Sequence, residues 1–229
     1  MATPYVTMVR DVVSSTQDLA AAARADADRP TLVVAHEQTA GRGRTGNPWW
    51  QADRAMAASL ALSTDLLEVD ETFPLAVGLA VREAIKENLG VVVGLKWPND
   101  IVLGSAKVGG ILVEIRDGVV IAGCGLNLFW PDSPEGAGGL CGDDPGEDLG
   151  LRLARAWADE VLSDGFAWDR DSYVDACVTL DSSIEWEPHG TGFAVGIADD
   201  GGLIVATPEG RVTLRSGEVR IVRPIIGGA

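Results

Sequence analysis

An eleven-residue stretch, AGRGRTGNPWW at residues 40–50, carries the residue types best suited to holding a phosphate-bearing ligand. Glycine backbone can approach a ligand closely, and Arg42 and Arg44 each carry a guanidinium that can bind two phosphate oxygens. Trp49 and Trp50 supply a rigid aromatic wall. Because the chain has only 18 basic residues against 34 acidic ones, two arginines so close together indicate an anionic ligand.

The glycines of this stretch, Gly41, Gly43 and Gly46, match the G-x-G-x-x-G pattern of dinucleotide-binding proteins, and the apolar run TLVVA lies just upstream. A dinucleotide site requires a helix that opens at the third glycine, so that the helix N-terminus meets the pyrophosphate. The sequence NPWW that follows is a poor first turn of a helix. The pattern therefore disfavours a dehydrogenase and leaves two interpretations, a ligand-binding loop or a surface loop with solvated arginines.

Two other stretches carry groups of the same kind. Lys107 lies in the apolar, glycine-containing run AKVGGILVEI, which favours a lysine aimed into a pocket over the usual solvated one, and a point charge there suits a phosphate or carboxylate. The sequence SSTQ at residues 14–17 reads first as the cap of a helix, and its hydroxyl groups also suit a small polar ligand.

The elements that position these groups follow from hydrophobic periodicity and from turn residues. Helices are predicted over residues 15–28, 73–89, 147–162 and 168–180, and strands over 31–36, 56–63, 106–115 and 117–128. Another strand begins at residue 91, is interrupted by WPND at 97–100 and then resumes. After residue 181 the pattern changes to about five short runs in which apolar and polar residues alternate. These predict short strands and indicate a small all-β module.

Composition sets the class of protein. With 229 residues, of which 46% are hydrophobic, and a mean hydropathy of +0.13, the chain is typical of soluble globular proteins. A formal net charge of −16 argues against binding DNA or an anionic membrane, since either needs a basic face. The three cysteines, Cys124, Cys141 and Cys177, have no metal-site or disulfide spacing, and no long apolar segment is present at the N-terminus, so we expect a cytoplasmic protein.

Five motifs in this order, SSTQ, EQTAGRGRTG with its following tryptophan, KWPND, KVGGILVE and GCGLN, resemble the biotin protein ligase family over nearly the whole chain. The resemblance implies an α+β fold with a central mixed sheet and helices packed on it, at residues 1–181, followed by a small C-terminal barrel of the Src-homology type at 182–229. It implies a two-step reaction in which biotin, ATP and Mg²⁺ give biotinyl-adenylate and pyrophosphate, after which biotin passes to a lysine of a biotin carboxyl carrier protein. The first motif begins at residue 14, so we expect a ligase without the DNA-binding repressor domain that some members carry. The sequence does not distinguish a monomer from a homodimer.

The resemblance also implies a set of site residues. For biotin these are Ser15, Thr16, Gln17, Gln38, Gly41, Arg42, Gly43, Arg44, Trp49, Lys107, Gly110 and Gly123. For ATP they are Arg42, Arg44, Lys96, Asn99, Lys107 and Asn127. The chain departs from the family at Gln17, where Asn is usual, and the extra methylene displaces the amide.

The chemistry of the residues agrees with this resemblance. Acyl-adenylate formation needs positive charge at the α-phosphate, which Arg42, Arg44 and Lys107 can supply together with Mg²⁺. Asp100 is a candidate to orient or accept a proton from the attacking lysine, and a plain turn aspartate is its alternative. Two other functions stay open: a lipoate or octanoate ligase or transferase of the same fold, and a non-catalytic biotin-binding module. No candidate site residue lies beyond residue 182, so we expect the C-terminal module to serve the transfer step.

Overall fold

The computed structural model describes residues 4–25, 28–50, 52–66 and 69–222. In this part of the chain, seven strands form one sheet in the order β1-β2-β3-β7-β6-β5-β4. The strands are β1 (Val6–Val13), β2 (Thr31–Gln38), β3 (Arg54–Ser63), β4 (Gly94–Lys96), β5 (Asp100–Leu103), β6 (Ala106–Arg116) and β7 (Val119–Phe129). Only the β1–β2 pair is parallel among these, so the sheet is mixed, as predicted.

Helices cover both faces of this sheet. They are α1 (Thr16–Ala25), α2 (Phe73–Leu89), α3 (Asp148–Val161) and α4 (Arg170–Ala176). Because side chains alternate along a strand, Val33 and Ala61 pack with Ala20 of α1, while their neighbours Leu32 and Leu60 belong to the larger core under α2 and α3. Both cores are apolar, and α1 is thereby held across the strands that carry the cavity described below.

The central hairpins are as predicted, and three details differ. The segment at WPND is a turn between the antiparallel strands β4 and β5, so the chain reverses there and the prediction of one interrupted strand was wrong. The last predicted helix is shorter, at Arg170–Ala176, and the edge strand β1, which was not predicted, precedes α1. Residues 26 and 27 of the first predicted helix lie outside the described residues.

A second sheet, antiparallel throughout the described residues, follows in the order β11-β10-β9-β8-β12. Its strands are β8 (Ser183–Trp186), β9 (Gly190–Ile197), β10 (Leu203–Thr207), β11 (Gly210–Leu214) and β12 (Val219–Ile221). Trp97, in the turn between β4 and β5, is buried and donates from Nε1 to the carbonyl of Gly201 at 3.0 Å. This bond ties the second sheet to the turn that carries Asn99 and Asp100.

No helix in the described part of the chain has both the length and the apolar character needed to cross a membrane.

Candidate functional site

A cavity of about 270 Å³ opens between the N-terminus of α1, the strands β5, β6 and β7, the segment 41–50 and the turn between β11 and β12. We call the segment 41–50 the glycine loop. Most of the predicted site residues line this cavity, namely Ser15, Thr16, Gln17, Gln38, Arg42, Gly43, Arg44, Trp49, Lys96, Asn99, Asp100, Lys107, Gly110 and Gly123. Motifs that lie far apart in the sequence are thus brought to one place.

Two predicted residues do not line the cavity. The carbonyl of Gly41 accepts from the Trp49 amide at 2.9 Å, and a Cβ at position 41 would lie 3.1 Å from Gln38 Nε2, so this glycine lets the loop approach β2. Asn127 is buried on β7, and its Oδ1 has no hydrogen-bond partner in the described structure. The assignments of Gly41 to biotin and of Asn127 to the nucleotide stay predictions.

Four polar residues form what we call the polar floor: Ser15, Thr16, Gln38 and Ser59. Gln38 Oε1 accepts hydrogen bonds from the backbone N–H of Thr16 at 2.8 Å and from Thr16 Oγ1 at 3.0 Å. Ser59 Oγ donates to Thr16 Oγ1 at 2.8 Å. Ser59 belongs to no motif, and its signal in the sequence is a hydroxyl within the apolar strand MAASLALS. The floor therefore presents hydroxyl and amide groups in fixed positions.

Gln17 continues this polar surface toward β6. Its Nε2 donates to the carbonyl of Leu112 at 3.3 Å and to Glu114 Oε2 at 3.0 Å. Its Oε1 is buried without a hydrogen-bond partner in the described structure. A Cβ at Gly123 would lie 3.0 Å from the Gln17 amide, so a glycine is needed where β7 passes beneath this side chain.

Trp49 forms the aromatic wall between the loop and the sheet. A Cβ built at Gly110 would lie 3.4 Å from its ring, and one at Gly125 would lie 2.8 Å from it. The glycines of β6 and β7 are therefore the surface on which the indole rests. Gly125 was not predicted, although it is part of the motif GCGLN.

Four cationic and two acidic side chains line the cavity, in a chain whose net charge is −16. Asp100 bridges the two lysines: its Oδ1 lies 2.5 Å from Lys107 Nζ and its Oδ2 lies 3.1 Å from Lys96 Nζ. Lys107 Nζ also lies 5.9 Å from the centroid of the Trp49 ring. This end of the cavity suits an anionic ligand, since the cations there outnumber the carboxylates.

The two loop arginines differ in their contacts. Arg44 Nη1 donates to Asn99 Oδ1 at 3.3 Å and to the carbonyl of Gly217 at 3.5 Å, both long bonds. Arg42 instead binds the carboxylate of Asp18 on α1 through two bonds, of 3.0 and 2.7 Å. Hydrogen bonds from Arg42, and then from Arg116, lower the pKa of Asp18 from 3.8 to about 2.

The C-terminal sheet also reaches the cavity, which the sequence did not predict. Gly217, Glu218 and Val219, at the turn between β11 and β12, line its wall. Glu218 Oε1 accepts a hydrogen bond from Asn47 Nδ2 of the glycine loop at 3.1 Å. The structure thus adds three residues to the cavity wall from a part of the chain in which the sequence offered no candidate.

Comparisons with known proteins agree with this architecture. Residues 9–127 match the model of the biotin/lipoate A/B protein ligase family, and residues 190–221 match that of the biotin protein ligase C terminal domain. The biotin--[acetyl-CoA-carboxylase] ligase of Mycobacterium tuberculosis is 32% identical over 93% of this chain and 87% of its own length. The bifunctional ligase/repressor BirA of Bacillus subtilis is 31% identical over 92% of this chain and 72% of its own length.

Among solved structures, the biotin protein ligase of Aquifex aeolicus in complex with biotin and ATP superposes with a TM-score of 0.80. Its sequence is 26% identical, and the match covers 95% of this chain and 99% of that one. The sequence matches extend over both sheets and over the motifs that line the cavity. The chain belongs to the biotin protein ligase family.

Proposed function

We propose that this protein is an ATP-dependent biotin ligase. It activates biotin to biotinyl-5'-AMP with release of pyrophosphate, and then transfers biotin to a specific lysine of a biotin carboxyl carrier protein. The observation that carries this proposal is that one cavity joins a buried polar floor to a cluster of four cations. Such a cavity suits a ligand that is polar and uncharged at one end and anionic at the other, which is the chemistry of biotin next to a nucleotide.

The biotin end is assigned to the floor. The ureido ring would contact Ser15, Thr16, Gln17 and Gln38, whose polar groups are within the cavity wall. Trp49 would cover the rest of the molecule, with Gly110 and Gly123 leaving room beneath it. The valeryl carboxylate would then lie toward Lys107 and the loop segment 41–44, where the cations are.

The activation step makes few demands on acid–base chemistry. An oxygen of the biotin carboxylate attacks the α-phosphorus of ATP, and the bond from that phosphorus to pyrophosphate breaks, so no proton must move. Charge accumulates on the phosphoryl oxygens, and Arg42, Arg44 and Lys107 can stabilise it. We assign the remaining nucleotide contacts to Lys96, Asn99 and Asn127, of which Lys96 and Asn99 line the cavity.

Magnesium fits this site as an ion carried mainly by ATP. The described residues hold no group of three or more His, Cys, Asp or Glu side chains that could bind a metal by themselves. Asp100 and Glu218 are the two acidic side chains of the cavity, which matches the one or two carboxylates that Mg²⁺ uses beside phosphates. When bound, the ion neutralises charge on the phosphates.

In the transfer step, the amine of the carrier lysine attacks the acyl carbon, the bond to AMP breaks, and the amine loses a proton. Asp100 is our candidate to orient that amine or to accept its proton. Its carboxylate is bound to Lys96 and Lys107 in the structure, so a phosphate that attracts Lys107 would leave Asp100 Oδ1 available.

We place the domain boundary at residues 181 and 182, just before β8.

A lipoate ligase or transferase is the second candidate, because the matching family model covers lipoate as well as biotin enzymes. The fixed hydrogen-bonding groups of the polar floor favour a ureido ring over the dithiolane ring of lipoate, which offers neither N–H nor carbonyl groups. A non-catalytic biotin-binding module has no use for four cations beside the floor.

The test is direct. The protein is incubated with ATP, Mg²⁺ and either biotin or lipoate, the acyl-adenylate is measured by mass spectrometry, and an apo carrier domain is then added. We expect biotinyl-adenylate in the first stage and biotinylated carrier in the second. Lipoyl-adenylate alone would move the assignment to the second candidate, and no adenylate with either acid would contradict both.

A further inference from the structure

The amide of Gln17 is oriented by a chain of charged residues, of which Arg116 and Asp18 lie outside the motifs. Glu114 Oε2 accepts from Gln17 Nε2 at 3.0 Å and from Arg116 Nη2 at 2.7 Å. Arg116 Nη1 donates to Asp18 Oδ1 at 2.9 Å, and the same oxygen accepts from Arg42 Nη2 at 2.7 Å. We call the series Gln17, Glu114, Arg116, Asp18 and Arg42 the relay.

The relay settles which end of the Gln17 amide faces the cavity. An ionised carboxylate offers only acceptors, and so does the carbonyl of Leu112, so both require the NH₂ group of Gln17 on the β6 side. The carbonyl oxygen is on the other arm of the amide and lies beside Gly123, which lines the cavity wall. Gln17 lines the cavity, is only 5% exposed, and its Oε1 has no partner in the described structure. A buried acceptor without a partner is costly, so a ligand that supplies a donor there is strongly favoured.

We propose that Glu114 and Arg116 are positioning residues that fix the Gln17 carbonyl toward the cavity, so that the site selects a ligand presenting an N–H donor at that point. This inference rests on the proposed function, since it identifies the donor as one N–H of the ureido ring. The family usually has Asn where this chain has Gln17. The side chain of Gln17 is one methylene longer and reaches Glu114, so its contact with Glu114 accounts for the departure from the family motif.

The outer members of the relay have weaker control over the amide. The side chains of Glu114, Arg116 and Asp18 are 29%, 36% and 43% exposed, so solvent screens the charges increasingly with distance from Gln17. Leu112 accepts from Gln17 in a bond of 3.3 Å, which is longer than the bond to Glu114. Removing the Glu114 charge therefore leaves the weaker acceptor alone to hold the amide, and the amide can then rotate.

The experiment compares biotin with its two cyclic carbamate analogues, in each of which one ureido N–H is replaced by oxygen. Each analogue keeps the shape of biotin and exchanges one donor for an acceptor. Dissociation constants are measured by calorimetry without ATP, so that the result does not depend on ligase activity. In the wild type, one of the two analogues should bind roughly a hundredfold more weakly than biotin.

In Glu114→Gln, whose new amide can pair with either end of Gln17, this preference should fall about tenfold, because a rotated Gln17 can donate to the carbamate oxygen. Asp18→Asn should reduce the preference less. Glu83→Gln is the matched control: it removes the carboxylate of the exposed ion pair with Lys86 on α2, and the preference should be unchanged.

Four results would contradict the inference. A preference in Glu114→Gln equal to that of the wild type would show that Leu112 or packing alone orients the amide. Equal weakening of all three ligands, with their ratio kept, would show that Glu114 only supports the structure. A wild type that binds biotin without discriminating against either analogue would remove the donor assignment and leave the ligase proposal standing, whereas a wild type that binds no biotin would overturn both.

Discussion

The polar floor and the glycine loop face each other across the same cavity and are built in opposite ways. Ser15, Thr16 and Ser59 are each at most 3% exposed, and the floor is joined by hydrogen bonds of 2.8 to 3.0 Å. In the loop, Trp50 is 64% exposed, and the hydrogen bonds of Arg44 to Asn99 and to Gly217 are 3.3 and 3.5 Å long.

This difference assigns recognition of the ligand to the floor and closure over the ligand to the loop. Groups that are buried and bonded to each other need no reordering when a ligand arrives, so the floor can select the ligand. A glycine-containing loop loses more conformational freedom when it is ordered, so its closure must be driven by the ligand itself. We therefore expect changes in the floor to alter which ligand binds, and changes in the loop to alter how long an intermediate stays.

The largest effect should come from Lys107, the cation that lies between the polar floor and the glycine loop. Lys107→Met should slow biotinyl-adenylate formation roughly a hundred- to a thousandfold, because a positioned charge is lost where negative charge develops. Asp100 keeps its contact with Lys96, so the fold should persist. Single-turnover mass spectrometry measures the rate, and Lys86→Met, at an exposed lysine on α2, is the control. Equal rates for the variant and the wild type would remove Lys107 from the chemistry.

Gly125 tests the contact between floor and loop. In Gly125→Ala the new Cβ would lie 2.8 Å from the Trp49 ring, so the indole and the loop around it must move. The apolar contact that the indole would make with the ligand is worth on the order of 2–3 kcal/mol, so we expect the affinity for biotin to fall about a hundredfold. Calorimetry measures it, with Gly142→Ala as the control because a Cβ there meets nothing within 4 Å. Unchanged affinity would mean that Trp49 is not part of the biotin wall.

The sequence predicted the elements well where periodicity and motif coincide. Helix α2 runs over Phe73–Leu89 as predicted, because its apolar spacing is regular and Gly90 ends it in a left-handed conformation with φ of 66°. The turn at WPND was misread as a break in one strand. A proline beside Asn and Asp fits either a break or a reversal, and only pairing with β5 distinguishes them.

The candidate site was predictable in its motifs and unpredictable in its long-range contacts. Thr16, Gln38 and Lys107 are marked by local pattern, whereas Ser59 and Glu218 reach the cavity through strand register and through a second sheet. The pairing of Arg42 with Asp18 also depends on tertiary structure, since 24 positions separate the two residues. Contacts of this kind carry no signal in a single sequence.

Arg44 tests the loop as a means of retaining the intermediate. Arg44→Gly removes a charge-assisted contact of roughly 1.5–3 kcal/mol and adds backbone freedom, so biotinyl-adenylate should dissociate about ten- to a hundredfold faster. The released adenylate acylates exposed lysines, so the variant should biotinylate albumin mixed with the carrier, as a streptavidin blot would show.

The control for loop entropy is Thr45→Gly, which adds comparable backbone freedom and keeps both arginines. It should label albumin less than Arg44→Gly does, at matched rates of adenylate formation. Equal labelling by the two variants would assign retention to the stiffness of the loop, and no excess labelling by Arg44→Gly would show that Arg44 does not retain the intermediate.

The smallest effect concerns the ion pair that ties the loop to α1. The pKa of Asp18 is lowered in the folded protein from 3.8 to about 2, chiefly by Arg42 and then by Arg116. The folded state therefore binds this proton less readily than the unfolded state, and the ionised carboxylate contributes stability that is present above the unfolded pKa and is lost as the pH falls through the folded pKa. Because Asp18 and Arg42 are both more than a third exposed, we expect only roughly 0.2–1 kcal/mol.

The measurement is the free energy of urea unfolding for the wild type and for Asp18→Asn at a series of pH values. The difference between them should be nearly constant above about pH 4 and should be lost as the pH falls through about 2. Asp132→Asn, at an exposed aspartate of the loop after β7, controls for the loss of one negative charge. A difference that persists well below pH 2, where the carboxyl is protonated in both states, would show that Asp18 stabilises α1 without its charge. A difference of several kcal/mol at neutral pH would mean that the loop is held as firmly as the floor, and the contrast between the two regions would then fail.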